Sequence, residues 1–298
     1  MPEFKEITLA DRPWVTEILK SENSPSADYS FGNLYMWAGK YPLRIARFDR
    51  RLLLRYDAAV PCFAFPVGTG PVRPALEAII DYASRYGDAF TMPGLTEAQR
   101  QTVEREYPGR CEFHENRAAA DYIYSAESLS TFSGRALHGK RSHCNRFEAE
   151  YDWRFVPLSR ELIPDCEAML RKWSEENAPR LEKSVQEEYE AIARCFADYE
   201  ALEMDGGVLL ADGEVLGFSV GEMVCGDTFV VHFEKAEAGP KGAYAMVCRE
   251  MTRMAMEEYP DMRYVNREDD VGLEPLRNSK MTYCPEFLLT KYDARWHF

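Results

Sequence analysis

The chain repeats itself. FKEITLADRPWVTEIL, beginning at Phe4, returns in outline as FVPLSRELIPDCEAML, beginning at Phe155. A phenylalanine, an aliphatic residue, a hydroxyl residue and a proline fall at matching positions, and the helix stripe Val15, Ile18, Leu19 matches Cys166, Met169, Leu170. One short match can arise by chance, so the order of the elements after each copy decides. In the second half the patterns predict strand 153–158, helices 160–175 and 184–199, hairpin strands 207–212 and 214–224 around Asp212-Gly213, and strand 227–235. Helix 243–258, strand 262–267, helix 273–282 and strand 286–292 come next. The first half predicts strand 3–8, helices 10–20 and 28–38, hairpin strands 43–48 and 51–57, and strand 61–67. Helix 72–86, strand 89–92, helix 96–106 and strand 111–124 complete it. Both halves carry a buried helical stripe at the same place: Leu76, Ile79, Ile80, Ala83 and Tyr86, against Tyr244, Val247, Cys248, Met251, Met254 and Ala255. The expectation is an α/β chain of two copies of one unit, 1–125 and 153–298, joined by a connector at 126–152. Its 298 residues suit two domains of about 150 each.

Composition narrows the function classes. Hydrophobic residues at 46% and charged residues at 29% are those of a globular protein. There is no apolar run of the roughly 20 residues that span a bilayer, and MPEFKEITLADR lacks the order of a signal peptide, so a cytoplasmic location is expected. The eight cysteines contain no CxxC pair and the five histidines no ligand spacing, so reduced thiols and no structural metal are expected. A net charge of -14 opposes indiscriminate binding to DNA or anionic lipid. One stretch reverses that sign. From Arg135 to Arg146 the connector holds Arg135, Lys140, Arg141 and Arg146 with His138 and His143 and no acid. Lys140, Arg141 and Arg146 are candidates to meet nucleic-acid phosphate; a solvated connector is the plain alternative.

Chemistry is densest at YVNREDDVGLEPLRNSKMTYCPEFLLTKY, residues 264–292. Asn266, Glu268, Asp269 and Asp270 crowd the carboxyl end of an apolar strand, the side where ligands bind in open α/β sheets. Gly272 and Pro275 suit the restart of a helix on which Arg277, Lys280 and Tyr283 share one face. A solvated helix carrying a Glu274 to Arg277 surface pair accounts for that face as well.

The order strand, two helices, antiparallel meander, helix, strand, helix, strand resembles the acetyltransferase-like (GNAT) fold. In that fold two neighbouring strands splay and the acyl donor lies in the gap, its phosphates at the next helix amino terminus. The equivalent segment here, HFEKAEAGPKGAYAM (232–246), departs from the phosphate signature Q/R-x-x-G-x-G/A, which weakens the case for coenzyme A. KRSHCNRF (140–147), FEKA (233–236) with GAY (242–244), and the 264–285 stretch resemble the bacterial family related to the C-terminal domain of phosphatidylglycerol lysyltransferases. That family has two tandem GNAT-like units and is akin to Fem-type aminoacyltransferases. The resemblance, which includes DYSFGNLYMW (28–37), covers essentially the whole chain. It implies transfer of an aminoacyl group from aminoacyl-tRNA to a hydroxyl or amine acceptor: a small molecule, a lipid headgroup or a peptide. The site is expected in the second unit, because the first lacks a comparable polar cluster, its fifth strand AFTM running into Pro93-Gly94-Leu95, and is expected to be structural. Glu234, Asn266, Asp269 and Tyr283 are then the candidate catalytic residues, and Lys235, Tyr244, Asp270, Arg277 and Lys280 the candidate substrate-binding ones. Glu234, Asp269 and Asp270 suit an ammonium; Lys235, Arg277 and Lys280 suit an anion; Asn266 and Tyr283 are hydrogen-bond donors. Each has a plainer role too: Glu234 and Lys235 could pair across the sheet, Asn266 could cap the turn, and Tyr283 could be packing. An acyl-CoA-dependent N-acyltransferase, with coenzyme A but no tightly bound cofactor, and a non-catalytic small-ligand binder are the rival expectations.

Overall fold

Prolines and turn residues punctuate this chain where its helices start and stop. The computed structural model describes residues 2–298, and the side chains of all of these outside 177–185. The chain runs through β1 (Lys5–Glu6), α1 (Arg12–Glu22), α2 (Phe31–Met36), β2 (Leu43–Phe48), β3 (Arg51–Tyr56), β4 (Cys62–Phe63), β5 (Val67–Gly68) and α3 (Arg73–Ala83). It continues with β6 (Ala89–Thr96), α4 (Glu97–Glu106), β7 (Cys111–Glu115), β8 (Asp121–Ser125), α5 (Ala126–Thr131), α6 (His138–Glu150) and β9 (Trp153–Pro157). Then come α7 (Ile163–Ala197), α8 (Tyr199–Leu202), β10 (Asp205–Ala211), β11 (Glu214–Met223), β12 (Thr228–Ala236) and α9 (Ala243–Glu258). β13 (Tyr264–Asn266), α10 (Glu274–Met281), β14 (Phe287–Leu289) and β15 (Lys291–His297) close it. Proline enters the first turn of α1, where its missing N–H costs nothing, and Asn23 ends that helix in the left-handed region at φ 50°. Thr96 and Gln99 cap α4 reciprocally. Asp212 and Gly213, both at positive φ, make the tight β10–β11 turn.

Two sheets result. The first has the order β1-β2-β3-β4-β6-β15-β7, with β5 on β3; the second has the order β14-β8-β13-β12-β11-β10-β9. Each contains an antiparallel meander and a parallel pair, β4 with β6 or β12 with β13, reached through a crossover helix, α3 or α9. The two compact units are not the continuous halves. One comprises the chain to Asp121 with Asp269–Leu273 and Leu288–Phe298; the other comprises Tyr122–Glu268 and Glu274–Phe287. The expected strand 111–124 is two strands: β7 stays in the first sheet and β8 joins the second. The expected strand 286–292 likewise divides, β14 in the second sheet and β15 between β6 and β7 in the first. Both differences have one cause, since strand propensity is local and the choice of partner is not.

The cores track the apolar stripes except at Tyr86, which is exposed because α3 stops at Ala83, three residues short of it. In the first unit Val15, Leu52, Leu53, Phe63 and Ile79 are fully buried; in the second, Phe147, Val208, Phe218, Val230 and Met246 are. In place of the two expected helices 160–175 and 184–199 there is one, α7, because the lapse of apolar period between them does not stop the backbone.

Candidate functional site

β12 and β13 pair only from Thr228 to Val230 against Tyr264 to Asn266. Beyond these residues they part, at the carboxyl end of β13, the position at which parallel strands open a cleft. β12 also carries one extra residue: Val220 faces Phe233, but Gly221 faces Val231. This bulge resets the alternation of side chains. Phe218 and Glu222 share a face of β11, so their partners Lys235 and Val230 share it, and Asn266, opposite Val230, joins them. Glu234, opposite Ser219, lies on the other face.

Six side chains meet on the Glu234 face. Arg267 Nη2 donates to Glu234 Oε1 at 2.7 Å, and both side chains are close to buried. The Arg267 guanidinium lies 4.4 Å from the Tyr283 ring centre and 5.6 Å from that of Tyr124. The Lys140 ammonium is 3.6 Å from the same Tyr283 ring. Lys280 Nζ donates to the Arg267 carbonyl at 2.6 Å, and the Tyr124 hydroxyl donates to the Lys280 carbonyl at 2.9 Å. Arg267 Nη1 is buried and has no hydrogen-bond partner among the described residues. Burial pushes the Glu234 carboxyl up against the opposing pull of Arg267, Lys280 and Lys140. Burial, then the Arg267 charge, pushes the Lys140 ammonium down. Burial holds Tyr283 well above its ordinary value, so it is a phenol, a donor rather than a base.

The opposite face carries a second group. Lys235 Nζ is 2.8 Å from Glu188 Oε2 of α7 and 4.1 Å from the Trp173 ring centre, and Trp173 Nε1 donates to the Tyr244 hydroxyl at 2.7 Å. Burial raises the Tyr244 phenol to about 12. His232, beside the bulge, has Glu268 at 2.8 Å from Nδ1 and Glu222 at 3.1 Å from Nε2. Asn266 is fully buried, and its Oδ1 accepts from the Glu268 N–H at 2.7 Å.

Two of the remaining candidates are placed elsewhere. Asp269 and Asp270 belong to the first unit. Asp269 lines a cavity there, and Asp270, wholly buried, bonds Arg117 at 3.0 Å and accepts the Gly272 N–H at 2.9 Å. Arg277 is half-buried on α10. Within the basic run, Arg141 donates to the carbonyls of Phe132 and Gly134, and Arg146 pairs with Glu150 at 2.6 Å. Cys144 and Phe147 of α6 are buried. Arg267, His232 and Trp173 are missing from the candidates drawn from sequence. Arg267 was legible by alternation, since it comes directly after Asn266 and so presents the opposite face. Among the described residues no group of three His, Cys, Asp or Glu is set to hold a metal, and no helix is long and apolar enough to cross a membrane.

Residues 20–295 match the family model described as Phosphatidylglycerol lysyltransferase, C-terminal. The chain belongs to that family. A similar chain is a conserved protein of unknown function from Bacteroides thetaiotaomicron VPI-5482, 34% identical, whose crystal structure matches at a TM-score of 0.93 over 99% of this chain and 100% of that one. The structure of L-PGS from Bacillus licheniformis, 17% identical, matches at 0.66 over 97% of this chain and 93% of that one. A curated relative, the uncharacterized protein MYCGA3080 of Mycoplasmoides gallisepticum, is 22% identical over 210 residues; the match spans 68% of this chain and 64% of that relative. The fold of this chain is similar to that of a tandem GNAT protein from the clavulanic acid biosynthesis pathway, which matches at a TM-score of 0.50 with 10% identity, covering 100% of this chain and 98% of that one. The fold is thus a mixed α/β architecture of two tandem GNAT-like units.

Proposed function

We propose that the second unit transfers an aminoacyl group from aminoacyl-tRNA to a hydroxyl or amine acceptor. The observation that carries this reading is the group gathered where β12 and β13 part: one buried carboxylate, Glu234, held by Arg267 and ringed by Lys140, Lys280 and the Tyr283 phenol. Ester aminolysis or alcoholysis needs a carboxylate for the incoming ammonium or hydroxyl proton, and donors for the oxyanion that develops. Glu234 supplies the first and the Tyr283 hydroxyl with the cations the second. Lys140, Lys280 and Arg267 place an excess of positive charge there in a chain of net charge -14, which suits the phosphates of an RNA 3′ end or of an acceptor headgroup. Asn266 positions the Glu268 turn, while Lys235 and Tyr244 act on the opposite face through Trp173. The gap is also spanned by the Arg267–Glu234 and His232–Glu268 contacts, at 2.7 and 2.8 Å, where an acyl-CoA would have to lie. That supports an aminoacyl donor over coenzyme A.

Filter binding of an aminoacylated tRNA across a salt series tests the reading. Each phosphate contact removed should flatten the plot of log affinity against log salt by about 0.7 to 0.9. Lys140→Met and Arg267→Met should each weaken binding, and Glu234→Gln should bind yet lose deacylation of the tRNA in the presence of acceptor. No affinity at low salt, together with micromolar binding of acetyl-CoA, overturns it.

A further inference from the structure

We propose that the first unit holds a ligand site of its own, a cavity of about 180 Å³ that takes a small primary ammonium compound of amino-acid size. It occurs at the point in the first sheet that corresponds to the β12–β13 parting in the second. β4 and β6 are parallel and pair only at Cys62 and Thr91, after which they separate, and Pro93 and Gly94 of β6 line the void. A parallel pair that opens into a cavity is where α/β sheets bind ligands, and the strand order puts such an opening in both sheets.

The charges select the ligand. Lys291 is the cation of the lining, and it is 2% exposed with its ammonium already held by Asp28 at 2.7 Å and by the buried Asp121 at 2.8 Å. Asp293 also lines the void, and its carboxylate accepts from the Gly94 N–H at 3.1 Å and the Asn116 amide at 2.9 Å, donors that carry no charge. Asp269 adds a third lining carboxylate. The lining therefore holds more negative than positive charge in partial shelter from water, and a cation in the void relieves it. Because no three acids among the described residues are close enough to share one metal ion, an extended organic ammonium fits better than a divalent ion. The Tyr56 ring and Leu54 give its carbon chain an apolar wall. All of these residues belong to the first unit, so this site stands whether or not the second transfers aminoacyl groups.

Isothermal titration of the full chain with ethanolamine and 1,4-diaminobutane, with 1,4-butanediol as the neutral isostere, tests the proposal. Saturable heat is expected for the amines and none for the diol. Asp293→Asn should weaken amine binding about tenfold, the effect of one charge-assisted hydrogen bond, while Glu234→Gln should leave it unchanged. If Asp293→Asn melts early, Asp28→Asn removes a half-exposed carboxylate and should weaken binding alike. The proposal is overturned by an absence of saturable heat for both amines, by equal binding of the diol, by both asparagine variants binding as wild type, or by loss of binding in Glu234→Gln.

Discussion

His232 shows how far a neighbourhood can move one side chain. Burial alone would drive the imidazole neutral, but carboxylates on both ring nitrogens override it and hold the ring at about 9, above its ordinary 6.5. A group raised on folding contributes stability that is fully present below its unfolded value and is lost as pH rises through the folded one. The urea midpoint should therefore be highest below pH 6.5 and fall as pH approaches and passes 9. His232→Gln should flatten that decline; an equally steep decline in the variant would show that other groups cause it. His232 did not stand out in the sequence, for a lone histidine in HFEKA has no spacing to mark it. Its carboxylates, Glu222 and Glu268, come from two other segments. Glu234 was legible, because an acid inside an apolar strand demands a partner wherever the strand goes.

At the scale of elements, much of what was expected is there, including the hairpin turn at Asp212-Gly213 and the stripe of α9. The junction between α6 and α9 was not legible. Gly242 precedes α9 at φ 103°, and a Cβ placed there would lie 2.5 Å from the His143 carbonyl oxygen, a clash the rigid α6 backbone cannot relieve. Gly242→Ala should cost about 1 to 3 kcal/mol in a urea melt. A stability change below about 0.5 kcal/mol would mean that α6 is free to shift away. The bulge in β12 was equally hidden, and it decides which candidates can meet: without the extra residue Lys235 and Asn266 would take opposite faces.

For the whole molecule, strand membership carries the strongest prediction. Residues 153–298 lack β8, which lies between β13 and β14 in the second sheet, and a chain cut after Leu289 lacks β15, which lies between β6 and β7 in the first. A 153–298 fragment should aggregate or melt without cooperativity, and so should the truncated chain's first unit, because each leaves two central strand edges unpaired. A soluble, cooperatively melting 153–298 fragment would refute this. The sequence alone determined the element types, the duplication and the polar stretch at 264–292, since periodicity, turn chemistry and composition act over neighbouring residues. Tertiary structure decided which strand joins which sheet, that Asp269 and Asp270 leave the Glu234 group for the first unit, and that Arg267, Lys140 and Tyr283 close around Glu234. Those outcomes depend on strand register and partner choice between segments far apart in the chain, which no local pattern encodes.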